Sequence, residues 1–115
     1  MKFLSMIRIN EKSGMQPSAQ LMQDMGKLMD EMTRDGTLVS TAGLRPTAEG
    51  KRVRLAHGKL SVTDGPFTES KEVIGGFAII EAKSKEHAID LVKEFMHVAG
   101  DGECEVRELH SQPAV

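Results

Sequence analysis

Two stretches of this sequence are apolar on both faces of a strand, and nothing else in the chain constrains the fold as strongly. Lys2 to Ile9 reads Phe3, Ser5, Ile7 and Ile9 on one face and Leu4, Met6 and Arg8 on the other. Val73 to Ala82 reads Phe77 and Ile79 against Ala78, Ile80 and Ala82. A strand with apolar side chains on both sides belongs inside a sheet that is covered twice. The chain has to supply, or recruit, two layers of cover.

Two helical patterns supply one layer. Leu21, Met22, Met25, Leu28, Met29 and Met32 recur at helical spacing from Pro17, which suits a first turn, to Gly36, which suits a stop. A methionine stripe can be a pliable binding face, but at this spacing it reads as core. Ser84 reads as an N-cap, Glu86 favours the first turn, and Ala88, Ile89, Val92, Phe95, Met96 and Ala99 form the apolar face of a second helix that stops at Gly100. Thr37 to Ala42 and Glu103 to His110 are predicted strands; in the latter, Cys104, Val106 and Glu108 alternate with Glu105, Arg107 and Leu109.

Lys51 to His57 and Lys59 to Thr63 predict a hairpin around His57-Gly58, where glycine takes the positive φ of a two-residue turn. Leu55 then faces Leu60 and Val53 faces Val62, while Arg54 faces Ser61 and Arg52 faces Thr63. In that register Asp64 lies on the apolar side, where the strand breaks at Gly65-Pro66.

The order β, α, β, hairpin, β, α, β predicts an α+β protein with a ferredoxin-like βαββαβ core and an inserted β-hairpin, its helices on one face of an antiparallel sheet. At 115 residues it reads as a single domain over 1–115. The helices cover one sheet face only, so a second copy packing sheet to sheet is expected, a homodimer with an interface above about 1,000 Å².

The densest chemistry lies between Thr63 and Phe77. Asp64-Gly65-Pro66-Phe67, then Glu69-Ser70-Lys71-Glu72, then Ile74-Gly75-Gly76-Phe77 resembles the signature of the DGPF branch of the YCII-related proteins. The resemblance runs from Lys2 to about Leu109 and includes the Cys104-Glu105-Val106-Arg107 ending. It implies a dimeric α+β barrel and an association with extracytoplasmic-function sigma factors. For the parent YCII proteins it implies a histidine working with an aspartate, and this chain has no histidine at a matching position. Glu69, Lys71 and Glu72 read by themselves as a solvated charge run; the family pattern keeps them as site-rim candidates.

Asp64 has two readings. It can accept hydrogen bonds from the backbone of Gly65 to Phe67 and build an Asx-type turn. It can also be a proton-transfer carboxylate at the rim of an apolar cleft, with Lys71 or Arg107 holding an anionic ligand. The ligand-binding candidates are Gly65, Pro66, Phe67, Glu69, Lys71, Glu72, Gly76 and Arg107. Gly75-Gly76 inside a strand signals a bulge or a close backbone approach, and it is not a phosphate loop because no helix begins there.

Composition excludes several functions. A net charge of -2 and 3% aromatics provide neither a basic field nor a stacking platform, so nucleic acid is not an expected partner. His57 reads as a turn residue, His87 and His97 as helix-surface or helix-end residues; with His110 they form no ligand motif, so neither metal nor cofactor is expected. A single cysteine, Cys104, and a start at Met1-Lys2-Phe3-Leu4 without a leader or long apolar run predict a reducing cytoplasm and no membrane span. Two function classes follow. One is an acid-base enzyme of isomerase or lyase type acting on a small molecule in a dimer cleft through Asp64. The other is a non-catalytic ligand-binding or regulatory module. A pocket with two or more convergent ionisable groups favours the first, and an isolated Asp64 the second.

Overall fold

Strand β1 (Lys2–Ile9) takes the inner position that its two apolar faces demand. It pairs with β5 (Val73–Glu81) on one side and β6 (Glu103–Glu108) on the other, and β2 (Leu38–Gly43) extends the sheet beyond β5. The sheet is four-stranded and antiparallel in the order β2-β5-β1-β6, with α1 (Ala19–Arg34) and α2 (Lys85–Ala99) as the connections, a ferredoxin-like α+β arrangement. The computed structural model describes residues 1–11, 18–67 and 72–111.

Both helices start on serine caps. Ser18 Oγ accepts from the Leu21 N–H at 3.0 Å, and Ser84 Oγ accepts from the His87 N–H at 3.0 Å, each satisfying an amide that has no partner in the first turn. His87 is part of its cap: its Nδ1 accepts from the Lys83 N–H at 3.0 Å. Pro17, expected at the start of α1, lies outside the described residues. Gly36 and Gly100 follow the helices at φ of 85° and 93°, a conformation in which a side chain is strained.

The core is the layer between the helices and the sheet, where Phe3, Met32, Leu38, Ile80, Ala82 and Ala88 are buried. Two expected core residues lie outside it: Met22 is 66% exposed and Ile89 42%. The buried arc of α2 runs through Ala88, Leu91 and Val92, and that of α1 through Leu28, Met29 and Met32. Ile89 falls on the flank of its arc, about 60° beyond Val92, whereas Met22 shares the face of Met29 but lies in the first turn of α1, beyond the packed part of the layer. Of the rest of the two stripes, Leu28, Met29, Met32, Ala88 and Val92 pack in the core, while Leu21, Met25, Phe95, Met96 and Ala99 are half-buried.

Register puts Phe3, Ser5, Ala78, Ile80, Val106 and Leu38 on the helix side. Leu4, Met6, Phe77, Ile79, Ala42, Glu105 and Arg107 share the opposite side, which neither helix covers. Near the end of β1 the pairing slips: Ile7 lies opposite Gly76 but Arg8 lies opposite Ile74, which leaves Gly75 as the extra residue of a bulge. A side chain on Gly75 would start 2.7 Å from Ile9 Cδ1, and one on Gly76 3.0 Å from the Ala42 carbonyl oxygen. The glycine pair therefore makes both a bulge and a close backbone approach.

The inserted hairpin, β3 (Lys51–Ala56) and β4 (Lys59–Asp64), is a separate two-stranded sheet. Its register is the expected one, with Leu55 opposite Leu60, Val53 opposite Val62 and Arg54 opposite Ser61. His57 at φ 53° and Gly58 at φ 76° both occupy the left-handed region, as a turn matched to strand twist requires of its two central residues.

Candidate functional site

The Asp-Gly-Pro-Phe motif stands at the base of the hairpin and fastens it to the preceding loop. Gly65 donates its N–H to the Gly50 carbonyl at 2.9 Å, and its α-carbon lies so close to the Thr47 carbonyl that a β-carbon would be 1.7 Å from that oxygen. Only glycine fits there. Thr47, the first residue of the 3₁₀ turn Thr47–Glu49, is held in turn by Glu11, whose carboxylate accepts from the Thr47 N–H at 2.7 Å and from its hydroxyl. Those hydrogen bonds, the hydroxyl's first, lower the Glu11 pKa from its ordinary value. The Arg52 guanidinium lies 4.0 Å from the centre of the Phe67 ring, a cation–π contact across the same joint.

Asp64 pairs with Lys51, its register partner, through a carboxylate–ammonium contact. Three-quarters of its side chain is exposed. The apolar side on which it lies, as predicted, faces solvent: Val53, Leu55, Leu60 and Val62 are each more than 60% exposed. Glu72 lies 3.5 Å from Arg8, which also reaches Glu103 at 4.0 Å. Arg107 is opposite Leu4, four residues and so roughly 13 Å along β1 from Arg8. No hydrogen bond or ion pair joins Asp64 to Arg107 or Glu72 among the described residues. Glu69 and Lys71 fall outside those residues.

A second site lies between the layers. A cavity of about 110 Å³ has Ser5, Gly76, Ala78 and Cys104 among its floor residues and Met29, Met32, Leu91, Val92 and Phe95 in its helical roof. Small residues on three neighbouring strands face long ones on the helices, and the space between is left unfilled. Of the predicted site residues, Gly76 lines it. Its polar groups are few. The Thr41 hydroxyl is occupied, donating to the Phe77 carbonyl at 3.0 Å. Ser5, 8% exposed, shares the lining with Cys104, whose thiol contacts Met96 Sδ at 3.3 Å. Burial pushes the Cys104 thiol up from its ordinary value, and the Ser5 hydrogen bond only partly opposes this. Among the described residues of the lining, Cys104 is the only ionisable side chain, with no carboxylate, lysine, arginine or histidine beside it.

The sequence profile of the YCII-related domain matches residues 1–111. The chain belongs to the YCII-related family. An uncharacterized protein of Rhizobium meliloti (strain 1021) is 32% identical to this YCII-related chain over 91 residues, covering 78% of it and 73% of the relative. Within this YCII-related protein, the sequence pattern places the motif on the hairpin but leaves three features unread. Glu11 acts on Thr47, 36 residues away, and no local pattern marks that pair. The cavity had a weak signal: Ser5, Gly76, Ala78 and Cys104 are all small and all on the helix side of the predicted strands. The Lys51–Asp64 pair was one step beyond the register already read. Among the described residues no helix is long and apolar enough to cross a membrane, and no group of three or more His, Cys, Asp or Glu is placed to hold a metal ion.

Proposed function

We propose that this YCII-related protein is a small-molecule-binding module that takes a compact, mainly apolar molecule with one hydrogen-bonding group into the cavity between its helices and its sheet. The lining of that cavity carries the reading: an apolar wall with a hydroxyl and a protonated thiol at one place and no carboxylate or base. Apolar walls with a few placed polar groups are what small-molecule sites consist of. A volume of about 110 Å³ suits a single six-membered ring, since an engineered apolar cavity of about 150 Å³ accepts benzene. Proton-transfer chemistry needs a group of suitable pKa beside the substrate, and this lining provides only a thiol that burial keeps neutral. A module that binds without converting its ligand also accommodates a regulatory partner such as the sigma factor the motif implies.

Acid-base catalysis through Asp64 is the competing reading, and it places the site at the hairpin base. Asp64 there is three-quarters exposed and paired with Lys51. Thermal shift with phenol and benzene, on the wild type, Ser5→Ala and Asp64→Asn, separates the two. Phenol should raise Tm more than benzene does, Ser5→Ala should remove most of that difference, and Asp64→Asn should leave it unchanged. Loss of the phenol shift in Asp64→Asn, with the fold intact, moves the site to the hairpin.

A further inference from the structure

The methionines of α1 lie along one face of the helix and lead from solvent into the cavity. Met22, Met25, Met29 and Met32 fall within about 80° of one another around the axis. Met22 is 66% exposed, Met25 and Met29 are half-buried, and Met32 is 5% exposed, so burial deepens from the first turn to the last. Met29 and Met32 line the cavity. So does Thr41, which is exposed on the edge strand β2 that α1 packs against; the space therefore reaches the surface beside this helix. Its two walls differ in kind. On the inner strands, Ser5, Gly76 and Ala78 have almost no side chain to move. In the roof, Met29 and Met32 are unbranched, with three rotatable bonds each and a polarisable sulfur that suits an aromatic ring.

On the reading of the cavity as the ligand site, on which this step rests, we propose that its ligand is a neutral molecule of two fused rings with one hydroxyl, larger than the empty space and admitted when the methionines of α1 swing aside. A volume of about 110 Å³ holds one ring, since an engineered apolar cavity of about 150 Å³ accepts benzene. A second ring needs a roof side chain to leave. Leu91 and Val92 are branched and hold their shape. Met29 is free to turn, and a long helical side chain leans toward the N-terminus, here toward Met25, which is half-buried, with exposed Met22 beyond it. Room lies along the stripe. Methionine surfaces that repack around different ligands are a general means of adaptable binding. The lining holds no charged side chain among its described residues, so an ionised ligand gains no partner there. Met29 and Met32 thus set the size of ligand that the site accepts.

Calorimetric titration of the full chain with phenol and 2-naphthol tests it, since the two share one hydroxyl and differ by one fused ring. The wild type should bind 2-naphthol at least about tenfold tighter than phenol. Leucine keeps the volume of methionine but is branched and shorter in reach, so Met29→Leu combined with Met32→Leu should hold phenol affinity within about twofold and lose at least about tenfold for 2-naphthol. Methyl resonances of the wild type give a readout that needs no variant. 2-Naphthol should shift the ε-methyl signals of Met25, Met29 and Met32, phenol only the last two, and Met6, on the opposite side of the sheet, should stay in place under both. A wild type that binds phenol as tightly as 2-naphthol, or more tightly, overturns the proposal and leaves the single-ring reading standing; binding of neither overturns both. Undiminished 2-naphthol affinity in the double variant, or a Met25 signal that 2-naphthol does not move, also overturns it.

Discussion

Replacing Ala78 by valine should stabilise this protein and at the same time close its cavity. Ala78 lies on the cavity floor between Ser5 of β1 and Thr41 of β2. Valine adds two methyl-sized groups, each contributing about 0.8 kcal/mol when buried, so the gain has a ceiling of about 1.6 kcal/mol. A β-branched side chain also suits a central strand. For a domain of this size that ceiling corresponds to a Tm rise of about 7 °C. The assay is a thermal melt of the wild type and Ala78→Val with and without phenol. The variant should melt higher alone and lose most of the phenol shift. If it melts below the wild type and still responds to phenol, the space is neither an unfilled gap nor the ligand site.

Three further outcomes follow from the joint and the thiol. Gly65→Ala places a β-carbon on the Thr47 carbonyl oxygen, so exchange protection in residues 51–64 should fall while that of β1 and β5 is kept; unchanged protection at the hairpin base refutes the close approach. Glu11 has a folded pKa below 4.5, so its contribution is present above that ordinary value and is lost as pH falls through the folded one; the Thr47 amide signal should titrate with a midpoint under 4.5, and Glu11→Gln should abolish that step. Cys104 has its pKa raised above 9.0, so iodoacetamide at mildly alkaline pH should modify it more slowly than a cysteine in an unfolded chain, and Ser5→Ala should slow it further; a rate equal to the unfolded one contradicts the buried thiol.

The features legible in the sequence are those set by period and local backbone chemistry. Two-sided apolar strands at Lys2 to Ile9 and Val73 to Ala82 place β1 and β5 inside the sheet, because an edge position leaves one of their faces and one of their ladders unused. The hairpin register follows from the turn at His57-Gly58, since a slip of one residue exchanges the two faces. Gly75-Gly76 announces its bulge because glycine in a strand interior has little other use. Tertiary structure alone decided the rest. The motif glycine Gly65 reads as a turn former, but its position is set by a carbonyl eighteen residues earlier, at Thr47. That carbonyl is oriented by Glu11, on a different segment again. The cavity exists because two helices rest on the large residues around Ser5, Gly76 and Ala78 and bridge over them, and a gap of that kind depends on how distant elements stack. Alternation states which side of the hairpin is apolar; only the fold shows that Val53, Leu55, Leu60 and Val62 on that side are exposed.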